Sequence, residues 1–488
     1  MTTCGHEPLI AELRHALVEK DARIAVLEAN VADMTATVAK LTAVIEELRA
    51  QLSKNSSNSS KPPSSDPPWA PSQPKKKGSG RKPGGQPGHP GRYRALREPD
   101  TTADHFPESC KGCGGGLSST RDRAGRAPIR HQVEELPPVR PLIHEDRLHE
   151  LVCHNCGKSN RADLPPGVPR GHFGPRLIAT VAMLSGKFRL TRRELPRVLA
   201  DLFAIALSVG TVQKLCESAS DAVAGPVEEI AKVVHAAPVV NADETSFPHK
   251  AKKHWLWVAT CPTATIFRLH RRRGAEGLAV LLPENYDGLL IVDRWKPYEK
   301  FRRSFCHAHL LRNWREVGER KHPEAKRIGA WAVAETERLL RYHRQFRAGE
   351  LSDPALKARM RMLQARYGRM LDQAIMSGDQ KTASLGKELN RQWGELWAYL
   401  GAHGAEPTNN VGERRIRPAV LWRKGSFGTQ SDAGQRFVER SLTLAATARQ
   451  LGVNLFEYLQ AAVTAKLRHQ EAPGLHEWAQ RAIVPDTC

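Results

Sequence analysis

The sequence predicts a multidomain α+β protein, and three observations support that prediction. A heptad repeat of apolar residues fills the first 52 residues. Two Cys-x-x-Cys pairs follow, Cys110 with Cys113 and Cys153 with Cys156. Beyond residue 236, strand-type alternation and short apolar runs are interleaved with helical patterns, which is typical of an α/β core. We therefore expect a coiled coil, a zinc ribbon, a helical domain and an α/β core in succession.

Composition and pattern divide the chain into six expected segments. They are a coiled-coil oligomerisation helix (1–52), a disordered basic linker (53–104), a zinc ribbon (105–165), a helical helix-turn-helix-like domain (166–235), an α/β core with a helical insertion at about 315–403 (236–430), and a C-terminal helical segment (431–488). A chain of 488 residues has room for several domains of ordinary size.

The charge of the chain favours a polyanionic partner. Lys and Arg number 74 against 52 Asp and Glu, which gives a formal net charge of +22. Such a surplus usually serves phosphate contacts, and a merely soluble basic protein is the alternative. No apolar run approaches the roughly 18 residues of a membrane span, and the N-terminus lacks an apolar signal segment. We expect a cytoplasmic protein with no membrane contact, whose nine cysteines stay reduced.

The first segment is predicted to be a parallel coiled coil. Ile and Val prevail at one core position of the heptad and Leu at the other, a combination that favours two strands. The core positions are Ile10, Leu13, Leu17, Lys20, Ile24, Leu27, Val31, Met34, Val38, Leu41, Ile45, Leu48 and Leu52, of which only Lys20 is polar. A single amphipathic helix packed on its own protein is the alternative. The unbroken repeat favours a homodimer or higher oligomer.

The segment after the heptads is rich in Ser, Pro, Gly and Lys as far as about residue 91. It cannot bury enough apolar surface to offset its chain entropy, so we expect disorder. Five basic residues make it a candidate arm for DNA phosphates: Lys75, Lys76, Lys77, Arg81 and Lys82. A plain solvated linker is an equally good interpretation.

The two Cys-x-x-Cys pairs predict a four-cysteine zinc site. Each pair has a Gly in or just after it, which is typical of zinc knuckles, and Val133, Leu142 and Leu151 fit ribbon strands. A redox dithiol needs only one such pair, so structural Zn²⁺ is preferred. Four other cysteines show no ligand spacing: Cys4, Cys216, Cys261 and Cys488.

Residues 176–234 are predicted to be helical. Thr191 opens one helix with a capping-box pattern, and Ser208 can cap a second helix over residues 209–218. Two short helices with a turn between them fit a helix-turn-helix. An ordinary helical packing domain is nearly as good an interpretation, because the second helix is poor in basic residues.

Three acidic residues stand out in the α/β core. Asp243 closes one apolar run, Asp293 ends another, and Glu413 lies at a helix start with amide-type caps ahead of it. Strands are predicted at 254–261, 263–269 and 287–293 and a helix at 275–282. With the strand before Asp243, this order fits a ribonuclease-H-like sheet with carboxylates at the ends of its first and fourth strands.

Acids in this order suit two-metal phosphodiester chemistry. Mg²⁺ takes oxygen ligands, so one or two carboxylates per ion suffice, and a pair of ions activates the attacking oxygen and stabilises the leaving one. Taken singly, each residue has a simpler interpretation. An Asp at a strand end is usually a turn residue or cap, and a Glu at a helix start usually complements the helix dipole. The combined order favours the metal site.

Several motifs resemble bacterial DDE transposases of the insertion-sequence-sixty-six family. The resemblance runs from the linker to the C-terminal helices and is most specific around Glu413. The matching stretches are 242–245 (Ala-Asp-Glu-Thr), 292–298 (Val-Asp-Arg-Trp-Lys-Pro-Tyr), 306–312 (Cys-His-Ala-His-Leu-Leu-Arg), 406–417 (Glu-Pro-Thr-Asn-Asn-Val-Gly-Glu-Arg-Arg-Ile-Arg) and 421–429 (Leu-Trp-Arg-Lys-Gly-Ser-Phe-Gly-Thr).

The resemblance implies an enzyme that cleaves and joins DNA strands at the terminal inverted repeats of a mobile element. Asp243, Asp293 and Glu413 would be its catalytic acids and hold two Mg²⁺, with Mn²⁺ as a substitute. Basic residues after the glutamate are placed to meet phosphates: Arg414, Arg415, Arg417, Arg423 and Lys424. The partners would be element and target DNA and accessory proteins of the element, with the protein on the nucleoid when bound. A non-catalytic zinc-ribbon DNA-binding regulator and a nuclease without strand joining remain the alternatives.

The stretch between Asp293 and Glu413 is longer than such a core needs. We interpret residues 325–399 as a charged helical insertion that projects from the core. Cys306 and His309 form a Cys-x-x-His, for which packing and a hydrogen bond are preferred over metal, because two ligands alone do not hold zinc. Residues 442–466 are expected to form an amphipathic helical cap.

Overall fold

The computed structural model describes residues 7–53, 88–90, 94–117, 128–165, 168 and 170–483. Helices and a mixed sheet confirm the predicted α+β class. The chain forms two compact units, one of Met1–Gln73, Pro165–Thr191 and Gln213–Cys488 and one of Pro74–Leu164 and Arg192–Val212. The predicted basic arm (Lys75, Lys76, Lys77, Arg81 and Lys82), Cys4 and Cys488 lie outside the described residues.

The N-terminal segment is one continuous helix, α1 (Glu7–Leu52), of 46 residues. Its heptad residues from Leu13 to Leu48, Lys20 aside, keep 50–61% of their surface exposed. The predicted helix is confirmed. Its pairing with a second copy stays a prediction, and the exposed stripe is the surface that such pairing would bury.

The two cysteine pairs form two similar turns, the second within the hairpin of β1 (Glu150–Val152) and β2 (Ser159–Arg161). Gly114 donates its N–H to the Cys110 carbonyl at 2.9 Å, and Gly157 donates to the Cys153 carbonyl at 2.8 Å. Both glycines have a positive φ, +75° and +69°, which favours Gly at these positions. The strands expected around Val133 and Leu142 are wrong, because described residues 128–149 form no strand and both side chains remain exposed.

Between the cysteine turns and the five-stranded sheet, the chain forms α2 (Pro175–Gly186), α3 (Leu195–Phe203), α4 (Val209–Ala222) and α5 (Ala224–His235). The expected start of α3 at Thr191 is wrong. The helix begins at Leu195 with a proline in its first two positions, where the missing N–H costs nothing. Ser208 caps α4 as predicted, since its Oγ accepts the Thr211 N–H at 3.1 Å.

A five-stranded sheet forms the centre of the larger unit. It contains β3 (Val239–Ser246), β4 (Trp255–Thr260), β5 (Thr265–His270), β6 (Leu289–Val292) and β7 (Arg303–Phe305), with α6 (Ala275–Ala279) between β5 and β6. The strand order is β5-β4-β3-β6-β7. β3, β4 and β5 are antiparallel neighbours, whereas β6 and β7 run parallel to β3. The predicted strands and α6 are confirmed. Strand β7 was not predicted, because its three residues are too few to show a strand pattern.

Alternate residues of the central strands enter two separate hydrophobic clusters. On β6, Leu290 and Val292 pack in a cluster with α5 and with helices of residues 432–467, while Leu289 and Ile291 pack in a second cluster with helices of residues 307–375. All four are fully buried. A strand covered on both faces reads as a continuous apolar run, which explains why Leu289–Val292 shows no alternation.

The insertion contains α7 (His307–Gly318), α8 (Pro323–Arg347), α9 (Asp353–Ile375), α10 (Gln380–Arg391) and α11 (Trp393–Trp397). Its predicted helical character is confirmed. Residues of the insertion share a hydrophobic cluster with Leu289, Ile291 and Phe305, so part of the insertion covers one face of the sheet. That the rest of it projects from the core stays a prediction.

The chain ends in α12 (Asn410–Ser426), α13 (Asp432–Leu451), α14 (Leu455–Leu467) and α15 (Leu475–Ile483). Residues 442–466, expected to form a helical cap, lie almost entirely in α13 and α14. Gly452 ends α13 in the left-handed conformation, with a φ of +71°, and Asn454 caps α14 by accepting the Phe456 N–H at 3.0 Å.

The outer edge of β5 is closed by α13. Alternate N–H groups of β5 donate to Thr447 Oγ1 (3.1 Å), Thr443 Oγ1 (3.1 Å) and Glu439 Oε1 (2.7 Å). Four helical residues rise about 6 Å and two strand residues about 6.8 Å, so one helix face can follow alternate amides of a strand. The edge amides are thus satisfied within the chain.

None of the helices in the described part of the chain is both long enough and apolar enough to cross a membrane.

Candidate active site

Asp243 lies inside β3 rather than at its end. The parallel pairing of β3 with β6 stops at Asn241, opposite Ile291. The antiparallel pairing with β4 continues to Ser246, so the expectation that Asp243 closes the strand is wrong. Extending the β3–β6 register by two residues places Asp243 beside Asp293, which directly follows β6.

The two aspartates are oriented by their own backbone. Asp243 Oδ1 accepts the N–H of Glu244 at 2.8 Å. Asp293 Oδ1 accepts the N–H of Trp295 at 2.9 Å. Each carboxylate thus has one oxygen held by a local amide, which limits the orientations available to the other.

Glu413 lies in the first turn of α12, which Asn409 attaches to β3. Asn409 takes the N-cap position, but the predicted side-chain cap is absent because its amide bonds elsewhere. Its Nδ2 donates to the Ala242 carbonyl at 2.7 Å, and its Oδ1 accepts from Asn241 at 3.0 Å. A Cβ at Gly412 would lie 2.7 Å from Asn409 Oδ1, so the glycine is what lets this amide sit against the helix. Glu413 is therefore positioned relative to the strand that carries Asp243.

The three acids share one electrostatic environment. Burial raises the pKa of Asp243 to about 8, with further contributions from Glu244, Asp293 and Glu413. Burial also raises the pKa of Asp293, although Arg273, Arg294 and Arg303 oppose that rise. Carboxylates that disfavour one another's charge in this way are stabilised by a bound cation. The arrangement is suited to a hard divalent ion.

A fourth acid, Glu244, was missed by the sequence reasoning. Its side chain is 2% exposed and accepts from Tyr298 Oη at 2.7 Å and from Arg273 Nε at 2.9 Å. The Arg273 guanidinium lies 4.8 Å from the ring centre of Trp255 and 4.2 Å from that of Trp295. The adjacent Asp-Glu pair was the available signal, but its two partners, Tyr298 and Arg273, lie in segments far from it in the sequence.

A second donor group adjoins Glu413. Ligand atoms of Cys306, His309 and Glu413 lie within 4.8 Å of one another, and His309 Nδ1 is 3.6 Å from Glu413 Oε1. Arg312 Nη2 is 3.7 Å from the same oxygen. Burial lowers the pKa of His309 to about 4, with smaller contributions from Arg312 and Arg294. Sequence reasoning set Cys306 and His309 aside for want of a third ligand, which α12 supplies.

The basic residues after Glu413 fall into two groups. Three are exposed: Arg414, Arg417 and Lys424. Arg423 instead donates from Nη1 to Thr245 Oγ1 at 2.9 Å and Ser246 Oγ at 2.6 Å, which attaches α12 to the end of β3. Arg415 is half-buried. The exposed residues are those left free to reach a phosphate.

The four knuckle cysteines remain in two pairs. Among the described residues, the one group of three metal-capable side chains with ligand atoms within 4.8 Å of one another is Cys306, His309 and Glu413. Cys110, Cys113, Cys153 and Cys156 are free thiols, partly or fully exposed. Hydrogen bonds from Gly112 and Cys113 lower the pKa of Cys110, and those from Cys156 and Asn155 lower the pKa of Cys153. The zinc ribbon stays a prediction.

Comparison with known proteins gives one family match that covers the sheet, the insertion and α12. The sequence pattern of the transposase IS66 family matches residues 170–436, more than half of the chain. The chain belongs to the transposase IS66 family. This confirms the predicted resemblance, and all three acids lie within the matched transposase-family region. Residues 6–95, which include α1, match a family of unknown function, DUF6444.

A curated relative extends the comparison. The chain is 27% identical over 256 residues to an uncharacterized protein, y4qI, of Sinorhizobium fredii (strain NBRC 101917 / NGR234). The aligned part is 46% of this chain and 47% of that protein, so the chain spans about half the length of this relative.

Proposed function

We propose that this chain is a DDE transposase that cleaves and joins DNA strands at the ends of an insertion sequence. The observation that carries the proposal is the register that places Asp243 beside Asp293, with Glu413 on a helix that Asn409 attaches to the same strand, within a chain of the transposase IS66 family. The three acids come from two neighbouring parallel strands and one helix, yet both other acids raise the pKa of Asp243. DNA is the proposed partner, which the net charge of +22 favours.

The sheet is proposed to be ribonuclease-H-like. The order β5-β4-β3-β6-β7 supports this, with three antiparallel strands first and two strands parallel to β3 after them. In such a sheet the first and fourth strands are neighbours, which is why residues 50 positions apart in the chain, Asp243 and Asp293, come together.

The acid group is proposed to hold two Mg²⁺, or Mn²⁺ in their place. The fit rests on the chemistry of the donors, because clustered, partly buried carboxylates are the ligands that hard divalent cations prefer. Bound there, the ions would activate the attacking oxygen and stabilise the leaving one in an in-line displacement. Asp243 must give up its proton to act as a ligand, so its raised pKa opposes metal binding below about pH 8.

The remaining residues would bind and orient the DNA. Water attacks a phosphorus atom first, the bond to the 3′-oxygen breaks, and a 3′-hydroxyl is released. That hydroxyl would then attack a phosphorus of the target strand. A new phosphodiester bond forms, the target's own bond from phosphorus to the 3′-oxygen breaks, and this oxygen leaves as a 3′-hydroxyl that takes up the proton. Arg312 lies 3.7 Å from Glu413 and Arg273 next to Glu244, so both supply positive charge near the reacting phosphate.

Removing one acid at a time tests the proposal. Asp243→Asn, Asp293→Asn and Glu413→Gln should each abolish Mg²⁺-dependent cleavage of duplexes carrying the terminal repeats that flank the coding sequence, while DNA binding persists. The loss should exceed the roughly 10–100-fold that changes to residues around metal ligands cost. Glu406→Gln is the matched control, since Glu406 pairs with Arg347.

The products decide between the alternatives. Cleavage without joined strands would favour a nuclease, and binding without cleavage would favour a regulator. Retained cleavage in the Glu413 variant together with loss in the Glu406 variant would show that Glu406 is the catalytic glutamate.

The basic surface of α12 gives a second test. Arg417 is exposed, and the ion pairs of Glu413 in the structure are with His309 and Arg312. Arg417→Ala should weaken binding to all DNA sequences alike and lower the slope of log affinity against log salt by about one unit. If Arg417 instead only orients Glu413, the slope stays constant and cleavage alone declines.

The cysteine knuckles are proposed to hold one structural Zn²⁺. Local hydrogen bonds that lower the pKa of Cys110 and Cys153 favour their thiolates, the form that binds metal. Metal analysis of the Cys110→Ser, Cys113→Ser double variant should show about one Zn²⁺ per chain fewer than wild type. Unchanged zinc content would contradict the ribbon.

A further inference from the structure

Three donors of different chemistry meet where β7 leads into α7 and where α12 begins. Cys306 Sγ, a ring nitrogen of His309 and a carboxylate oxygen of Glu413 lie within 4.8 Å of one another. We propose that these three side chains bind a soft divalent cation of the Zn²⁺ class, at a site separate from the cysteine knuckles and next to the carboxylate group, with which it shares Glu413. This site does not depend on the proposed function, although Glu413 is common to both.

Two atoms of the group lack hydrogen-bond partners. His309 Nδ1 and Glu413 Oε1 are shielded from solvent and neither has a partner. Their separation of 3.6 Å is too long for a hydrogen bond. Two ligands each about 2.0 Å from a tetrahedral ion are roughly 3.3 Å apart, so a small closure would bring both onto one ion. An ion between them would coordinate two shielded polar atoms that otherwise make no hydrogen bond.

The donor set determines the class of metal. Thiolate, imidazole and carboxylate together select Zn²⁺, because Mg²⁺ takes oxygen ligands alone. Three protein ligands leave a fourth position open to water or to a substrate oxygen. The backbone N–H of Asn409 already donates to Cys306 Sγ at 3.1 Å, and such a bond would stabilise a metal-bound thiolate.

Two arginines lie close to the proposed ligands, and a bound ion would have to displace one of them. Arg312 Nη2 lies 3.7 Å from Glu413 Oε1, and Arg294 also lies close enough to lower the pKa of His309. Burial raises the pKa of the Cys306 thiol to about 11, so an ion must displace its proton on binding. The resulting thiolate and the Glu413 carboxylate would then oppose the positive charge of the two arginines. The ion would take the place of Arg312 at Oε1, so the guanidinium would be released from this oxygen.

The site would join three parts of the chain. Cys306 ends the connection from β7, His309 is in the first turn of α7, and Glu413 is in the first turn of α12. A shared ion would fix the start of the α12 helix against the start of the insertion. Its loss should therefore lower thermal stability as well as zinc content.

Zinc content of the full-length protein tests the proposal. Wild-type protein, dialysed in metal-free buffer after loading with Zn²⁺, should retain about one Zn²⁺ per chain more than Cys306→Ser. Cys261→Ser is the matched control, because Cys261 is equally buried and belongs to no ligand group. With Co²⁺ as the probe, wild type should gain more thiolate-to-cobalt absorption than Cys306→Ser, and Cys261→Ser should match wild type.

A second variant guards against misfolding. His309→Gln keeps a polar side chain and should also lose about one Zn²⁺ per chain, with its helical circular dichroism intact. Equal zinc content in wild type, Cys306→Ser and His309→Gln would overturn the site. Asp243→Asn should keep this zinc, so loss of cleavage in that variant bears on the carboxylate chemistry and not on the soft-metal site.

Discussion

An exposed heptad stripe and an exposed strand edge are both surfaces through which copies of a chain can associate. In this chain the first is open and the second is closed. The heptad stripe of α1 is exposed from Leu13 to Leu48. The edge of β5, whose amides could pair with any other strand, is occupied by Glu439, Thr443 and Thr447 of α13. The heptad stripe thus stays open to another helix, as the predicted coiled coil requires, whereas the strand edge is closed within the chain.

Substitutions in the heptad stripe of α1 should have the largest effect, on the mass of the assembly. Leu27→Lys combined with Leu41→Lys places two charges in the core of the expected coiled coil, so light scattering should show the mass falling to that of a single chain. Ala25→Lys with Ala39→Lys is the matched control, because these positions lie off the stripe and should leave the mass unchanged. The same mass for wild type and the leucine variant would remove α1 as the association surface.

Removing the side-chain acceptors that α13 supplies to the β5 edge should lower the free energy of unfolding. Thr443→Val and Thr447→Val keep the side-chain shape but remove the acceptors of two β5 amides, at about 1–3 kcal/mol each. Urea unfolding should show the loss, and light scattering should show more aggregation. Thr464→Val is the control, because that hydroxyl only donates to a carbonyl of its own helix at 2.7 Å. Equal urea midpoints for the β5-edge variants and for Thr464→Val would contradict the role of these hydroxyls at the edge of β5.

The third contact at this edge is sensitive to pH, and its effect should be the smallest. Burial raises the pKa of Glu439, while the Leu269 N–H and Gln435 oppose the rise. The unfolded chain loses this proton near the ordinary pKa and the folded chain at a higher pH. The free energy of unfolding therefore falls as pH rises through that interval.

Glu439→Gln retains an acceptor oxygen and should reduce this decline in stability. Chemical unfolding at several pH values above 4.5 measures it, with the exposed Glu471→Gln as control. Identical pH profiles for wild type and the Glu439 variant would show that the carboxyl group is not protonated at the edge.

Local patterns predicted much of this molecule because they are set by neighbours in the sequence. The heptad repeat predicted α1, and the apolar runs predicted β3 and β6. Asp243 lies within β3, and Asp293 directly follows β6. What the patterns could not give depends on distant partners. Strand β7 is three residues long and is defined by its pairing with β6, and the amide of Asn409 bonds to β3 instead of capping its own helix.

The same limit applies to the candidate sites. Glu244 was missed because its partners, Tyr298 and Arg273, follow it by many residues. Cys306 and His309 lacked a third ligand until α12 was placed beside them. Side-chain roles that rest on contacts between separate elements need the fold. The sequence was sufficient to place Asp293 directly after β6 and Glu413 in the first turn of α12, but not to place Asp243 inside β3.

The insertion leaves the sheet and returns to it at one place. His307 donates its N–H to the Pro407 carbonyl at 2.8 Å, and Asn409 donates to Cys306 Sγ at 3.1 Å. A segment whose two ends meet can be shortened, lengthened or exchanged at its far end without altering the distance that the chain must span. The turn between α8 and α9, where Gly349 has a φ of +75°, is therefore a natural place to graft a foreign domain while Glu413 stays in position.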